Sequence, residues 1–330
     1  EVAGEVSRFL VDLFRVSAPD EAVGELITAR SLLDRGAHQI RFDVQKDPGV
    51  RAALLDAMGR AYMALGNTTE AGELLGQAEG LLRDAPEWRA AHASVQVQLG
   101  SLQSSEGDAE RGEATLRGAL DELTSVHGKT HREVATAWRA LSAVLGELGR
   151  FDEALDAAVK ARRIAESIRP VPVRDQVTAI TLEARHREAR GEFEAAKVLL
   201  DQALDIQREL FDGDHPDVAD TLRTLGMLYS SQGRLVEGIE AVEEAVRIDV
   251  EVLGEDHPNV DDDRFTLAAL YQDAGELQKA LALNRAILER DRARYGEHAY
   301  VALDLGNIAG ILAKLGEVAE AERNYISALE

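Results

Sequence analysis

The stretch LSAVLGELGRFDEA at residues 141–154 recurs as LGMLYSSQGRLVEG at residues 225–238, and its glycine Gly149 belongs to a series running the length of the chain. Gly24, Gly66, Gly107, Gly149, Gly191, Gly233, Gly275 and Gly316 stand 42, 41, 42, 42, 42, 42 and 41 residues apart. A period this steady marks a stack of like structural units. A unit of this size cannot bury a core alone and must pack on its neighbours, so the chain reads as a one-dimensional solenoid.

The columns around the glycines define the unit. Seven residues before them the side chains are small: Gly59, Gly100, Ser142, Ala184, Gly226, Ala268 and Ala309. Eight before stand Met58, Leu99, Leu141, Glu183, Leu225, Leu267 and Ile308, apolar except for Glu183. Four before stand Tyr62, Gln103, Leu145, Arg187, Tyr229, Tyr271 and Leu312, one helical turn beyond that anchor. Together they form an amphipathic stripe and predict a helix before each glycine. A second helix is expected from two residues after it, at Phe151, Phe193, Leu235, Leu277 and Val318, with Thr68 and Ala109 weaker members of that column. Five after come Ala71, Gly112, Ala154, Ala196, Gly238, Ala280 and Ala321, small enough for two helix backbones to approach. Twelve after come Ala78, Ala119, Ala161, Ala203, Ala245, Ile287 and Ala328. The unit is helix, glycine turn, helix, with glycine supplying a conformation that a side chain strains.

Composition narrows the function classes. Lys and Arg number 37 against 60 Asp and Glu, a formal charge of −23, which disfavours nucleic acid or an anionic membrane as the general partner. Cysteine is absent, which excludes disulfides, thiol nucleophiles and thiolate metal sites. No stretch approaches the roughly 18 consecutive apolar residues of a membrane span, and no basic start leads into an apolar run as in a signal peptide. The expectation is a soluble, cytoplasmic protein, or an extracytoplasmic one if an upstream membrane helix tethers it. Beginning at Glu1 and stopping at Glu330 within or just after a helix, the chain reads as a segment of a longer protein.

Candidate chemistry is sparse. His131, His215, His257 and His298 recur at 84, 42 and 41 residues. Successive units lie about 10 Å apart, too far for two such histidines to share an ion at about 2 Å from each. They are expected instead to start helices, with proline at the first helical position and Asp or His serving the cap. His127 and His131 are four apart, but Gly128 is expected to hold them in a loop rather than as a zinc pair. Gly128, Lys129 and Thr130 imitate the end of a phosphate-binding loop, yet Leu123 stands where its upstream glycine is required. Asp261, Asp262 and Asp263 lie where a helix begins and suit its positive end. No nucleophile elbow, dinucleotide loop or zinc-protease motif occurs. No catalytic residue, cofactor site or metal site is expected.

The columns resemble the tetratricopeptide repeat: an apolar and a small residue, then Tyr, then a glycine turn, an aromatic and an alanine. The 42-residue period, together with Gly213-Asp214-His215-Pro216 and Gly254-Glu255-Asp256-His257-Pro258 between units, resembles the kinesin light chain variety. The resemblance covers nearly the whole chain. It implies an all-α fold, a right-handed α-solenoid of antiparallel helix pairs forming a superhelix. Residues 1–47 are expected to be a degenerate capping repeat around Gly24, its first helix shortened to about residues 1–16. Residues 48–330 are expected to hold seven repeats in one continuous solenoid, with Tyr325, Ile326 and Leu329 on an uncovered face at its end.

In such arrays the first helix of each pair lines the concave face. Positions ten and six before the glycines share one side of those helices. They are Asp56, Val97, Arg139, Thr181, Arg223, Phe265 and Gly306, and Arg60, Ser101, Ala143, Arg185, Met227, Ala269 and Gly310. Four arginines and one acid stand where average composition gives about 1.6 basic and 2.5 acidic residues. Arginine grips a carboxylate bidentately, so an acidic or C-terminal peptide is the ligand this face suggests, with Arg60, Ser101, Arg139, Thr181, Arg185, Arg223, Met227 and Phe265 as contacts. The alternative is that these arginines pair with acids on neighbouring helices. A further alternative is a self-associating spacer that stacks end to end through an uncapped C-terminal face.

SRFLVDLFRVSAP at residues 7–19 and ITARSLLDRGA at residues 27–37 resemble the segment joining a bacterial serine/threonine kinase domain to its C-terminal tetratricopeptide array. This resemblance implies that the chain is the non-enzymatic regulatory or docking half of a signalling kinase. The glycine-rich loop, His-Arg-Asp loop and Asp-Phe-Gly triplet of the catalytic half do not occur in this chain.

Overall fold

A computed structural model describes Gly4 and residues 29–42, 47–64, 67–170, 172–295 and 299–329; among these residues the secondary structure is helical, with no strand. Fifteen α-helices follow one another: α1 Ala29–Phe42, α2 Pro48–Ala64, α3 Thr68–Leu82, α4 Arg89–Ser105, α5 Ala109–His127, α6 Arg132–Glu147, α7 Phe151–Ser167, α8 Val173–Ala189, α9 Phe193–Phe211, α10 Pro216–Ser231, α11 Leu235–Leu253, α12 Pro258–Asp273, α13 Leu277–Tyr295, α14 Ala299–Leu315 and α15 Val318–Leu329. A short 3-10 turn, Pro86–Trp88, precedes α4. The chain divides into two compact units, Glu1–Leu182 and Glu183–Glu330, with the boundary inside α8.

Each expected second helix begins at the expected column: Thr68, Ala109, Phe151, Phe193, Leu235, Leu277 and Val318 are the first residues of α3, α5, α7, α9, α11, α13 and α15. The glycine turn sets this register. Gly107, Gly149, Gly191, Gly233, Gly275 and Gly316 have φ between 71° and 92°, a region costly for a residue with a Cβ. At each of the six, the N–H of the next residue donates at 2.8–2.9 Å to the carbonyl four residues before the glycine, as from Arg150 to Leu145 and from Arg234 to Tyr229. This is the closure of a Schellman turn, and it satisfies a carbonyl that the helix end leaves open. Gly24, Gly66 and, apart from Gly4, the expected capping helix at residues 1–16 lie outside the described residues, as does His298.

Small residues sit where the two helices of a pair cross. A Cβ on Gly112 would lie 2.6 Å from the carbonyl oxygen of Gly100, and one on Gly226 would lie 2.9 Å from that of Gly238. Ser142 uses the same proximity differently, its Oγ donating to the Ala154 carbonyl at 2.7 Å. Ala78, Ala119, Ala161, Ala203 and Ala245 are all buried. Within the first unit two apolar clusters form around Leu55, Met58 and Leu75 and around Leu116, Leu141 and Leu145. The second unit has a cluster around Leu267, Leu281, Ile308 and Leu312. First helices of successive pairs also touch: α2 with α4 and α4 with α6 in the first unit, α10 with α12 in the second.

The inter-pair histidines cap helices. The Nδ1 atoms of His131, His215 and His257 accept from the backbone N–H of Glu133, Asp217 and Asn259 at 3.3, 3.1 and 3.2 Å. Pro216 and Pro258 occupy the first helical positions behind two of them, where the missing N–H costs nothing. The acids of α12 lie at a helix start as expected, and two of them are also paired: Asp261 and Asp263 are buried, Asp261 accepting from Arg290 at 2.6 Å and Asp263 pairing with Arg223 at 3.0 Å. One expectation needs correction. His127 is the last residue of α5 rather than part of a loop, and its ring stacks on His131 with centroids 4.0 Å apart. Tyr325, Ile326 and Leu329 are exposed on α15.

Candidate protein-binding face

The first helices of each unit carry the residues selected by their column positions, and the structure divides them into two groups. Arg60 on α2 pairs with Asp56 one turn earlier at 3.1 Å. Burial pushes the Asp56 carboxyl above its ordinary value while Arg60 draws it down. Arg223 on α10 pairs with Asp220 and, at 3.0 Å, with Asp263. Both arginines are neutralised from within the fold.

Arg139 and Arg185 are different. Arg139 on α6 is half-buried and takes no hydrogen bond or ion pair among the described residues. It lines a cavity of about 10 Å³, roughly the room of one water, together with Arg132, Thr136 and Asp175. Asp175 already accepts from Arg132, at 2.5 Å from Nε. Burial holds the Arg139 guanidinium below its ordinary value, and the nearby Asp175 only partly offsets this. A buried cation in that position gains from any carboxylate delivered to it. Arg185 on α8 is exposed and likewise unpaired among the described residues.

The polar neighbours are quieter. Ser101 donates to the Val97 carbonyl at 3.1 Å, and Thr181 to those of Val177 and Thr178 at 3.2 and 3.1 Å. These hydroxyls are satisfied on their own helices, although each oxygen can still accept. Met227 and Phe265, on α10 and α12, are exposed at 48% and 43%, and offer apolar contact in the second unit. The surroundings of Arg223 are acidic rather than basic. Burial, with help from Asp249, pushes the Asp263 carboxyl up to about 7 against the pull of Arg223.

A second feature escapes the column reading. In the first unit a cleft of about 590 Å³ opens between α5, α6 and α7, floored by Val134 and Trp138 and edged by Arg117, Lys129, Lys160 and Arg163. Lys160 lies over the Trp138 ring, 4.4 Å from its centroid, and bonds Asp156 at 2.5 Å. Lys129 and Arg163 have no partner among the described residues. The lining comes from three helices and a loop with no common spacing, so periodicity gives no sign of it.

The tetratricopeptide repeat profile matches residues 91–167, 177–249 and 227–293, together more than half of the chain. Among solved structures, a Rap protein complexed with competence and sporulation factor is similar with a TM-score of 0.63 and 14% identity, over 100% of this chain and 96% of that one. Nearly identical kinesin light chain TPR-like repeats from Podosopora anserina are similar with a TM-score of 0.51 and 21% identity, over 62% of this chain and 97% of that one. At these identities the likeness concerns the fold. A clustered mitochondria protein homolog of Neosartorya fischeri is 23% identical over 148 residues, 45% of this chain but only 11% of that protein's length. No helix among the described residues is long and apolar enough to cross a membrane. Helix-pair arrays of this kind present broad side-chain-lined faces to protein partners. Repeat register, turn geometry and profile match agree: the chain belongs to the tetratricopeptide repeat family.

Proposed function

We propose that the chain is a non-catalytic docking module that binds a peptide or protein segment on its first-helix face, with Arg139 gripping a carboxylate of the ligand. The observation that carries this reading is the half-buried Arg139 guanidinium, left without a partner while neighbouring Arg132 holds Asp175. Arg185, Met227 and Phe265 lie in the second unit, where they offer a cation and apolar contacts as a candidate surface of that unit taken by itself. The Rap structure, solved with a bound factor, is a precedent for the fold rather than for this ligand. The resemblance of residues 7–19 and 27–37 to kinase junctions supports a place beside a serine/threonine kinase domain, which the reading frame upstream of Glu1 tests directly.

The cleft at Trp138 favours a second reading, in which an acidic segment docks against the second helices through Lys129 and Arg163. One experiment separates the two. Fluorescence anisotropy is measured with a Glu-rich peptide bearing a free C-terminal carboxylate and with its Gln-rich counterpart. On the first reading the Glu-rich peptide binds more tightly, salt weakens it, and Arg139→Ala costs on the order of tenfold while Lys129→Ala and Arg163→Ala do not. The reverse pattern supports the second. Equal affinity for both peptides, unchanged in every variant, removes both.

A further inference from the structure

The loop between α5 and α6 differs from its counterparts in a way that capping does not explain. At the end of α9, Phe211 stacks on the capping His215 with centroids 3.5 Å apart, and Leu253 holds the same sequence position before His257. His127 takes that place before His131 and stacks at 4.0 Å. The repeat geometry asks only for an apolar side chain there, so the ring nitrogens of His127 are surplus to it. His127 Nε2 and Glu133 Oε2 stand 2.9 Å apart, both atoms are buried, and neither completes a hydrogen bond. At the position of Glu133 the other loops have Asp217, whose carboxylate is one methylene shorter, and Asn259, which carries no charge.

We propose that His127, His131 and Glu133 form a binding site for one divalent transition-metal ion of the Zn²⁺ class. A ligand atom from each of the three lies within 4.8 Å of the other two. Atoms about 2.1 Å from a tetrahedral ion stand roughly 3.4 Å apart, so the widest separation closes by little more than 1 Å. Because an ion lies in the plane of each imidazole that binds it, the two rings turn out of their stack to converge on it. His127 and Glu133 are already closer than the tetrahedral spacing. The His131 Nδ1 lone pair now serves a long 3.3 Å bond from the Glu133 amide, which the ring gives up on turning to the ion. Two imidazoles and a carboxylate suit Zn²⁺, Co²⁺ or Ni²⁺ over Ca²⁺ or Mg²⁺, which take oxygen ligands. Three protein ligands leave a fourth position for water.

The test is titration of the chelator-treated chain with Co²⁺, followed by displacement with Zn²⁺. The expected result is the visible absorption of four-coordinate Co²⁺, saturating at one equivalent and bleached by Zn²⁺. His127→Phe restores the Phe211 arrangement and so keeps the stack; it and Glu133→Gln should each weaken binding at least about tenfold. Far-ultraviolet circular dichroism of both variants checks that the helices are retained. Absence of the Co²⁺ spectrum in the native chain, or affinity unchanged in both variants, overturns the assignment.

Discussion

Glu183, 1% exposed in a column that is apolar in the other repeats, is held by Arg187 one turn along α8, whose Nε and Nη2 both reach Glu183 Oε1, at 2.9 and 2.8 Å. The two polar intruders in the apolar columns of this repeat therefore answer each other. Breaking a buried pair from one side strands a charge, whereas replacing both residues restores the pattern of the neighbours. Arg187→Tyr alone should destabilise the chain by about 3–5 kcal/mol, and Glu183→Leu with Arg187→Tyr should be neutral or stabilising. A double-mutant cycle by urea denaturation checks both outcomes.

The turn glycines and the helix glycines should respond to alanine in opposite directions. Gly233 has φ 73°, so Gly233→Ala should cost about 1–2 kcal/mol through backbone strain even though no atom lies near the added Cβ. Gly118 is exposed inside α5 with open space around it, so Gly118→Ala should gain about 0.5–1 kcal/mol. Thermal denaturation of the two variants compares them directly.

The capping histidines predict a local effect. His215→Ala removes the Nδ1 acceptor of the Asp217 N–H and should cost about 1 kcal/mol, while His215→Asn, which can still accept there, should recover much of it. Amide exchange across the first turn of α10 is the sensitive readout.

Buried carboxylates give the second unit a pH dependence of defined sign. Burial and the neighbouring Asp291 push the Asp304 carboxyl from 3.8 up to about 7. A raised carboxyl favours the protonated folded form, so its contribution is fully present below about pH 4 and lost as pH rises through 7. Asp304→Asn, which needs no proton, should stabilise the chain above pH 7 by an amount on the order of a few kcal/mol. The gain should grow between pH 4 and 7 and then level off, as urea titrations across that range would show.

Much of this fold was legible in the sequence because two periodicities coincide. The helical repeat sets the columns, and the glycine that needs positive φ sets their origin, so even the first residue of each second helix could be read. The pairing of the arginines was only half legible. Asp56 stands four residues before Arg60, a partnership visible on one helix, whereas Asp263 lies 40 residues beyond Arg223 and meets it only when successive repeats stack. Reading acids one period onward, offset by two residues, would have found it. The cleft at Trp138 and the turning back of His127 depend on how a loop closes, and neither leaves a periodic trace.

Each of the six described glycine turns closes its own hydrogen bonds, and this bears on how such a chain can change length over generations. An in-frame duplication or loss of residues 192–233 rejoins one turn to its equivalent, with every downstream column kept in phase. A gain or loss of one residue within a helix rotates the rest of that helix by about 100° and carries a file of alanines out of its crossing. The two 41-residue intervals obey the same rule. Each drops its residue between Ala78 and Leu99 or between Ile287 and Ile308, the spans that contain the joints between helix pairs. Inheritance can lengthen or shorten this chain by whole repeats, and tolerates smaller edits only at those joints.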